Sequence, residues 1–114
     1  MAGESNQTGT LYVCATPIGN LEDITLRVLK VLRRVQLIAA EDTRKAKILL
    51  DRYRIRAPLV SCHQHNEASR TGYLLDFLSQ GKDVALLSEA GTPGISDPGE
   101  RVIGAAIREG VPVV

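Results

Sequence analysis

The chain has few cysteines, few aromatic residues and no long hydrophobic run. Its 114 residues contain two cysteines, Cys14 and Cys62, each within a short apolar run and without a CxxC pair. This spacing argues against a metal site and favours buried, reduced thiols over a disulfide. No apolar run approaches the roughly 18–20 residues that span a membrane, and residues 1–9 lack the hydrophobic stretch of a signal peptide. A cytoplasmic protein without a membrane partner is therefore expected.

Two familiar phosphate-binding motifs are also missing from the chain. Loops rich in proline and glycine follow the apolar runs at residues 11–15 and 84–87, and they occupy residues 16–20 and 88–99. Neither loop contains GxGxxG or GxxxxGK[ST], so neither a Rossmann dinucleotide site nor a P-loop is predicted. Glycine allows close backbone approach and proline stiffens a turn. Each loop is therefore either a tight turn or a binding loop for a small molecule.

Apolar runs and amphipathic segments alternate along the chain. Short apolar runs predict strands at residues 11–15, 37–40, 58–62 and 84–87, with a fifth beginning at 111. Helical spacing predicts helices at 23–34, 43–53, 66–80 and from 97 or 98 to 109, the last with Val102, Ile103, Ala106 and Ile107 inside. Asp23, Thr43 and Asn66 are the predicted helix caps and Gly81 the predicted end of the third helix.

This alternation predicts an α/β fold, a parallel sheet covered by helices on both faces in three layers. We expect a flexible tail at residues 1–9 and one α/β domain at 10–114. Because the sequence stops in a fresh apolar run, we also expect a fragment of a longer protein.

The net charge of +1 hides an uneven distribution. Residues 27–56 contain ten basic and three acidic residues, a net charge of +7, whereas the rest of the chain contains four basic and ten acidic residues, a net charge of −6. Such a block is either a solvated helix face or a surface for a polyanion.

Charged and imidazole side chains follow two of the predicted strands. Glu41, Asp42 and Arg44 close the second strand, where they form either a helix cap with an ion pair or part of a cleft. His63 and His65 follow the third strand and suit polar lining or hydrogen bonding better than metal binding. No metal site and no hydrolase triad are predicted.

Three motifs in this order resemble one family closely. They are ATPIGNLEDIT at residues 15–25, AEDTR at 40–44 and LSEAGTPGISDPG at 87–99. The chain resembles the ribosomal RNA small-subunit methyltransferase I family, within the tetrapyrrole-methylase-like group of S-adenosylmethionine enzymes. The resemblance implies methylation of the ribose 2′-hydroxyl of a cytidine in small-subunit ribosomal RNA. It also implies a homodimer of two-domain subunits with the cofactor between the domains, this chain being the N-terminal domain and inactive alone.

The resemblance also implies particular cofactor contacts. Three come from the first loop and four from the second: Pro17, Ile18, Gly19, Glu89, Ala90, Gly91 and Thr92. Glu89 departs from the aspartate that is usual in the family. A ribose hydroxyl is a poor nucleophile, so a base should help it. The candidates are Glu41, Asp42 and His65, and the sequence does not choose among them.

An RNA substrate would give the basic block a purpose, because phosphates supply most of the non-specific binding energy. The candidate residues are Arg33, Arg34, Arg44, Lys45, Lys47, Arg52 and Arg54. Aromatic residues make up 4% of the chain, so base stacking is not expected here.

Two alternative functions stay open. One is a methylase of the same group that acts on a tetrapyrrole or another small molecule, and the other is a nucleotide-binding module that catalyses no reaction.

Overall fold

The computed structural model shows strands and helices in strict alternation. It describes residues 7–17, 20–89 and 98–114, with the backbone alone at Glu89 and Pro98. The strands are β1 Leu11–Thr16, β2 Leu37–Ala40, β3 Leu59–Ser61 and β4 Val84–Glu89. The helices are α1 Leu26–Arg34, α2 Thr43–Arg52, α3 Glu67–Ser79 and α4 Pro98–Arg108, and a 3-10 turn occupies Leu21–Asp23. The predicted α/β fold class is confirmed.

The four strands form a parallel sheet in the order β1-β4-β2-β3. The predicted fifth strand lies beside the outer edge of β1, where it forms a single parallel bridge between Leu11 and Val113. The Leu11 amide donates to the Pro112 carbonyl and the Val114 amide donates to the Leu11 carbonyl, both at 2.9 Å. Because all strands run the same way, their carboxyl ends share one edge of the sheet.

Helices cover both faces of this sheet and create two apolar cores. Alternate residues of a strand point to opposite faces. In β2, Ile38 and Ala40 accordingly pack with α1 and α2, whereas Leu37 and Ala39 pack with α3 and α4. The sheet is thus the middle of three layers, with the α1–α2 layer on one side and the α3–α4 layer on the other.

Two of the predicted helix caps are wrong by one or two residues. Thr25 caps α1, because its Oγ1 accepts from the Val28 amide at 3.1 Å, and Asp23 belongs to the preceding 3-10 turn. Asp42 caps α2, accepting from the Arg44 and Lys45 amides at 3.0 and 3.3 Å. A cap is the last residue with extended backbone before the helix. Asp42 meets that condition, whereas Thr43 is already helical.

The third and fourth helices differ from the prediction in detail. Asn66 holds the cap position of α3, but its side chain accepts from the His63 amide instead of capping the helix. Gly81 follows the helix with φ 84°, as predicted for its end. Ile107 is wrong as a core residue, since it is 62% exposed. It lies about 140° around the helix from the buried Val102.

Both cysteines are free and buried, as predicted. Burial raises the pKa of the Cys14 thiol, and the positive charge of Arg27 opposes that shift. Within the described ranges, no helix combines the length and apolar character that a membrane span needs.

Candidate functional site

The two loops rich in proline and glycine begin next to each other. Strands β1 and β4 pair in register up to Thr16 opposite Glu89, and the Thr16 hydroxyl donates to the Ser88 carbonyl at 3.2 Å. Pro17 follows β1 directly and is half-buried. Ligands in open parallel sheets bind beyond the carboxyl ends of the strands, which is this edge.

Only part of the predicted cofactor site lies in the described chain. Pro17 and the backbone of Glu89 lie at the paired ends of β1 and β4. The other five predicted contacts lie outside the described residues: Ile18, Gly19, Ala90, Gly91 and Thr92.

Contacts with the end of α2 hold the segment that follows the first loop. The Tyr53 hydroxyl donates to the Leu21 carbonyl at 2.7 Å, and Arg52 Nη2 lies 3.1 Å from Glu22 Oε2. The Asn20 side chain accepts from the Glu22 amide at 3.0 Å. Sequence reasoning placed Tyr53 at the end of the second helix and missed its hydroxyl contact, because no local pattern indicates a partner 32 residues away.

A polar groove lies beside these strand ends. Its volume is about 610 Å³, and it lies between the ends of β2 and β3 and the first turn of α2. The residues that line it are Glu41, Asp42, Thr43, Arg44, Lys45, Ser61 and His63. Because β2 is the neighbour of β4 in the sheet, the groove lies on the same edge as the second loop.

The three predicted base candidates have different positions. Glu41 is exposed, lines the groove, and makes no hydrogen bond with a described residue. Asp42 lines the groove too, but one of its carboxylate oxygens already accepts the two amides at the start of α2. His65 is exposed and is not part of the lining. The structure therefore brings Glu41 and Asp42 together and leaves His65 outside the groove.

His63 lines the groove, in agreement with the polar lining expected of it, although only His65 was named as a base candidate. Its Nδ1 accepts from the His65 amide at 3.2 Å, so a neutral His63 carries its proton on Nε2. The two rings lie edge to face with centroids 5.8 Å apart. The position of His63, two residues past the end of β3, was the available signal. Among the described residues, no three His, Cys, Asp or Glu side chains could hold a metal ion together.

A parallel sheet with two loops leaving adjacent strand ends defines the general class of α/β domains that bind small ligands at the carboxyl edge. A sequence model of the tetrapyrrole (corrin/porphyrin) methylases matches residues 10–114, and the chain belongs to this family. The solved uroporphyrin-III-C-methyltransferase from Thermus thermophilus has the same fold, with a TM-score of 0.69 and 23% identity over 92% of this chain and 45% of that one.

Curated relatives match more closely in sequence. The chain is 48% identical over 111 residues to Ribosomal RNA small subunit methyltransferase I of Halalkalibacterium halodurans, a match that covers 97% of the chain and 38% of the relative. It is 55% identical over 106 residues to the protein of the same name from Micromonospora olivasterospora, covering 93% of the chain and 34% of the relative. The resemblance found in the motifs is confirmed. The chain spans just over a third of the length of these relatives.

Proposed function

We propose that this chain is the N-terminal α/β domain of a methyltransferase that uses S-adenosylmethionine to methylate a cytidine 2′-hydroxyl in small-subunit ribosomal RNA. One observation carries the proposal. Over more than nine-tenths of its length, the chain has about half of its residues in common with proteins named Ribosomal RNA small subunit methyltransferase I. The match to just over a third of each relative supports a chain that is one domain of a larger enzyme.

The carboxyl edge of the sheet suits this cofactor. S-adenosylmethionine has no phosphate group, so it needs backbone donors and acceptors and a shaped cavity instead of a P-loop. The pairing of β1 with β4 places Thr16, the residue before Pro17, opposite Glu89, and the proposed contacts extend into the two loops that follow. Those contacts are Pro17, Ile18 and Gly19 in the first loop and Glu89, Ala90, Gly91 and Thr92 in the second.

The bound cofactor would supply an electrophilic methyl group. What the chain contributes is orientation, because fixing two reactants in line can remove about 7–11 kcal/mol of a barrier. The Tyr53 contact with Leu21 fixes the far side of the first loop, and the Thr16 contact with Ser88 ties the starts of both loops together. These contacts support a preformed cofactor edge.

Glu41 is the proposed base for the ribose hydroxyl. It lines the groove with no described hydrogen-bond partner, whereas Asp42 is engaged as a helix cap. We expect Glu41→Gln in the full-length protein to lower kcat by about 10²-fold or more, since that is the usual contribution of a positioned base. Single-turnover methyl transfer at saturating cofactor and RNA measures this. Asp42→Asn is the matched control and should keep most of the rate, and equal losses in the two variants would contradict the assignment.

The decisive experiment uses the full-length protein that contains this chain. It is incubated with methyl-labelled S-adenosylmethionine and small ribosomal subunits from cells that lack the protein, and the RNA is then digested to nucleosides. We expect the label in 2′-O-methylcytidine, and none when the subunits come from cells that contain the protein. Cofactor binding without any label in RNA would contradict the proposed substrate. The 114-residue chain by itself is expected to transfer no label.

A tetrapyrrole acceptor is the second candidate. It is favoured by the family's description and by the fold shared with a uroporphyrin-III-C-methyltransferase. Label in a precursor corrin and none in RNA would establish it. Tight nucleotide binding in calorimetry without any response to S-adenosylmethionine would favour a module without chemistry.

The proposal includes a homodimer, which the resemblance implies, and a cytoplasmic location, which suits a ribosomal RNA substrate. Light scattering of the full-length protein measures the first, and fractionation of cells measures the second. A monomer at micromolar concentration would contradict the dimer without affecting the proposed reaction.

A further inference from the structure

We propose that the outer surface of the α1–α2 layer is where the phosphate backbone of the RNA substrate docks; this inference rests on the proposed function. Helices α1 and α2 contain eight basic residues and one acidic residue, a net charge of +7. Helices α3 and α4 contain three of each, a net charge of zero. The positive charge of the chain is therefore concentrated on one side of the sheet.

The basic side chains of this surface are exposed to solvent. All eight basic residues of α1 and α2 are exposed. Arg27, Lys30 and Arg34 form neither an ion pair nor a side-chain hydrogen bond with any described residue, whereas Arg33 donates to the Tyr53 carbonyl at 3.3 Å. The ion pairs of Arg44, Lys47 and Arg52 are exposed, as in Lys47 with Asp51 at 3.8 Å, and exposed pairs contribute little. Like charges at this density repel one another, and phosphates would relieve that repulsion.

The turn after α2 contains a basic residue, Arg54, at a position where glycine is common. Arg54 has φ 56°, in the left-handed region, whereas the turns after α3 and α4 use Gly81 and Gly110 at φ 84° and 77°. A side chain in this conformation is strained relative to glycine. The exposed Arg54 side chain makes no described contact that offsets this cost. Backbone strain of this kind points to a functional demand on the side chain.

The basic surface also reaches the candidate site. Arg44 and Lys45 lie in the first turn of α2 and line the groove at the ends of β2 and β3. Basic residues in the first turn oppose the helix dipole, so an anion near them is favoured. A strand held by its phosphates along α1 and α2 can thus present a ribose at the edge where the two cofactor loops begin. Aromatic stacking is not required, because phosphate contacts fix position and need no rings.

The test measures RNA binding separately from methyl transfer. The full-length protein and a variant with Arg27→Gln, Lys30→Gln and Arg34→Gln are titrated with small-subunit ribosomal RNA at salt concentrations from about 50 to about 200 mM. Each lost phosphate contact should reduce the slope of log K against log salt by about 0.7–0.9, so the triple variant should lose about 2–3 units. Its cofactor affinity should not change.

A second triple variant removes the same charge from elsewhere in the domain. It combines Lys82→Gln, Arg101→Gln and Arg108→Gln, which are all exposed and outside the α1–α2 layer. This control should keep the slope of the unsubstituted protein. Equal changes in the two variants, no change in either, or no salt-dependent RNA binding at all would each overturn the inference.

The single substitution Arg54→Gly tests the strained position. It should lower the salt slope by about 0.7–0.9, one phosphate contact, without loss of folding. An unchanged slope would contradict a role for Arg54 in docking. The outcomes also separate this inference from the proposed function. If the label appears in 2′-O-methylcytidine but all variants keep the salt slope of the unsubstituted protein, only the docking surface is contradicted. If RNA binds through this layer but no methyl group is transferred, only the proposed reaction is contradicted.

Discussion

The α1–α2 and α3–α4 layers use the same packing but present different outer surfaces. Each fills its side of the sheet with leucine, valine and alanine, and each contains at least one leucine with no exposed surface. The first layer has a net charge of +7 on its helices and the second a net charge of zero. Burial constrains the inner side chains of both layers in the same way. The difference in charge is confined to the outer side chains, which fits the proposed docking of RNA on the α1–α2 layer alone.

The largest expected effect tests whether the two layers are equivalent inside. Leu32 of α1 and Leu78 of α3 are both fully buried, one in each core. Leu32→Ala and Leu78→Ala should each lower the free energy of unfolding by about 2–5 kcal/mol, through lost burial and the cavity left behind. Urea denaturation of the chain followed by circular dichroism measures both. A loss several-fold larger in one layer would show that the two cores do not contribute equally.

A smaller effect distinguishes the turns that end the helices. Arg54→Gly should raise the free energy of unfolding by up to about 1 kcal/mol, because glycine relieves the left-handed backbone at some cost in unfolded-state entropy. Gly81→Ala should lower it by about 1–2 kcal/mol, since it places a side chain at φ 84°. Both are read from the same urea titrations. Destabilisation by Arg54→Gly would show that Arg54 stabilises the fold, which would weaken its assignment to RNA docking.

The smallest effect concerns the contact between the α1–α2 layer and the first loop. Tyr53→Phe removes only the hydroxyl that donates to the Leu21 carbonyl and should cost about 0.5–1.5 kcal/mol of stability. In the full-length protein it should also weaken S-adenosylmethionine binding several-fold in calorimetry and leave RNA affinity unchanged. The reason is that Leu21 belongs to the segment that immediately follows the loop.

Thr71→Val in α3 is the matched control for that substitution. It removes a hydroxyl that donates to the Glu67 carbonyl at 2.6 Å in the opposite layer. The two variants should lose similar stability, but only Tyr53→Phe should weaken cofactor binding. Equal cofactor affinities in the two variants would show that the Tyr53 contact is structural only.

Much of the fold could be predicted because its signals are local. Continuous apolar runs identified the strands, helical spacing identified the four helices, and Gly81 was correctly predicted to end α3. The errors were also local in origin. Asp23 and Thr43 were wrong as caps because the cap is defined by the backbone conformation of one residue, and neighbouring residues here have similar side-chain oxygens.

The position of the site could be predicted better than the residues that form it. The sequence placed the two loops and the Glu41–Asp42 pair at strand ends, and the family motifs named the cofactor residues. It did not indicate that β4 lies between β1 and β2. This strand order places the starts of the two loops next to each other and the groove beside them. Strand order depends on contacts between residues some seventy positions apart, as in Thr16 with Ser88, and no local pattern encodes them.

The sequence by itself determined the α/β class, the family and the basic block at residues 27–56, because composition, periodicity and motifs are properties of the chain order. Only the tertiary structure decided that the helices of this block form one layer while balanced charges cover the other. Only the tertiary structure placed His63 in the groove and connected Tyr53 to Leu21. The physical reason is that the side of the sheet on which a helix packs follows from the crossover between strands, and that crossover is fixed only when distant strands pair.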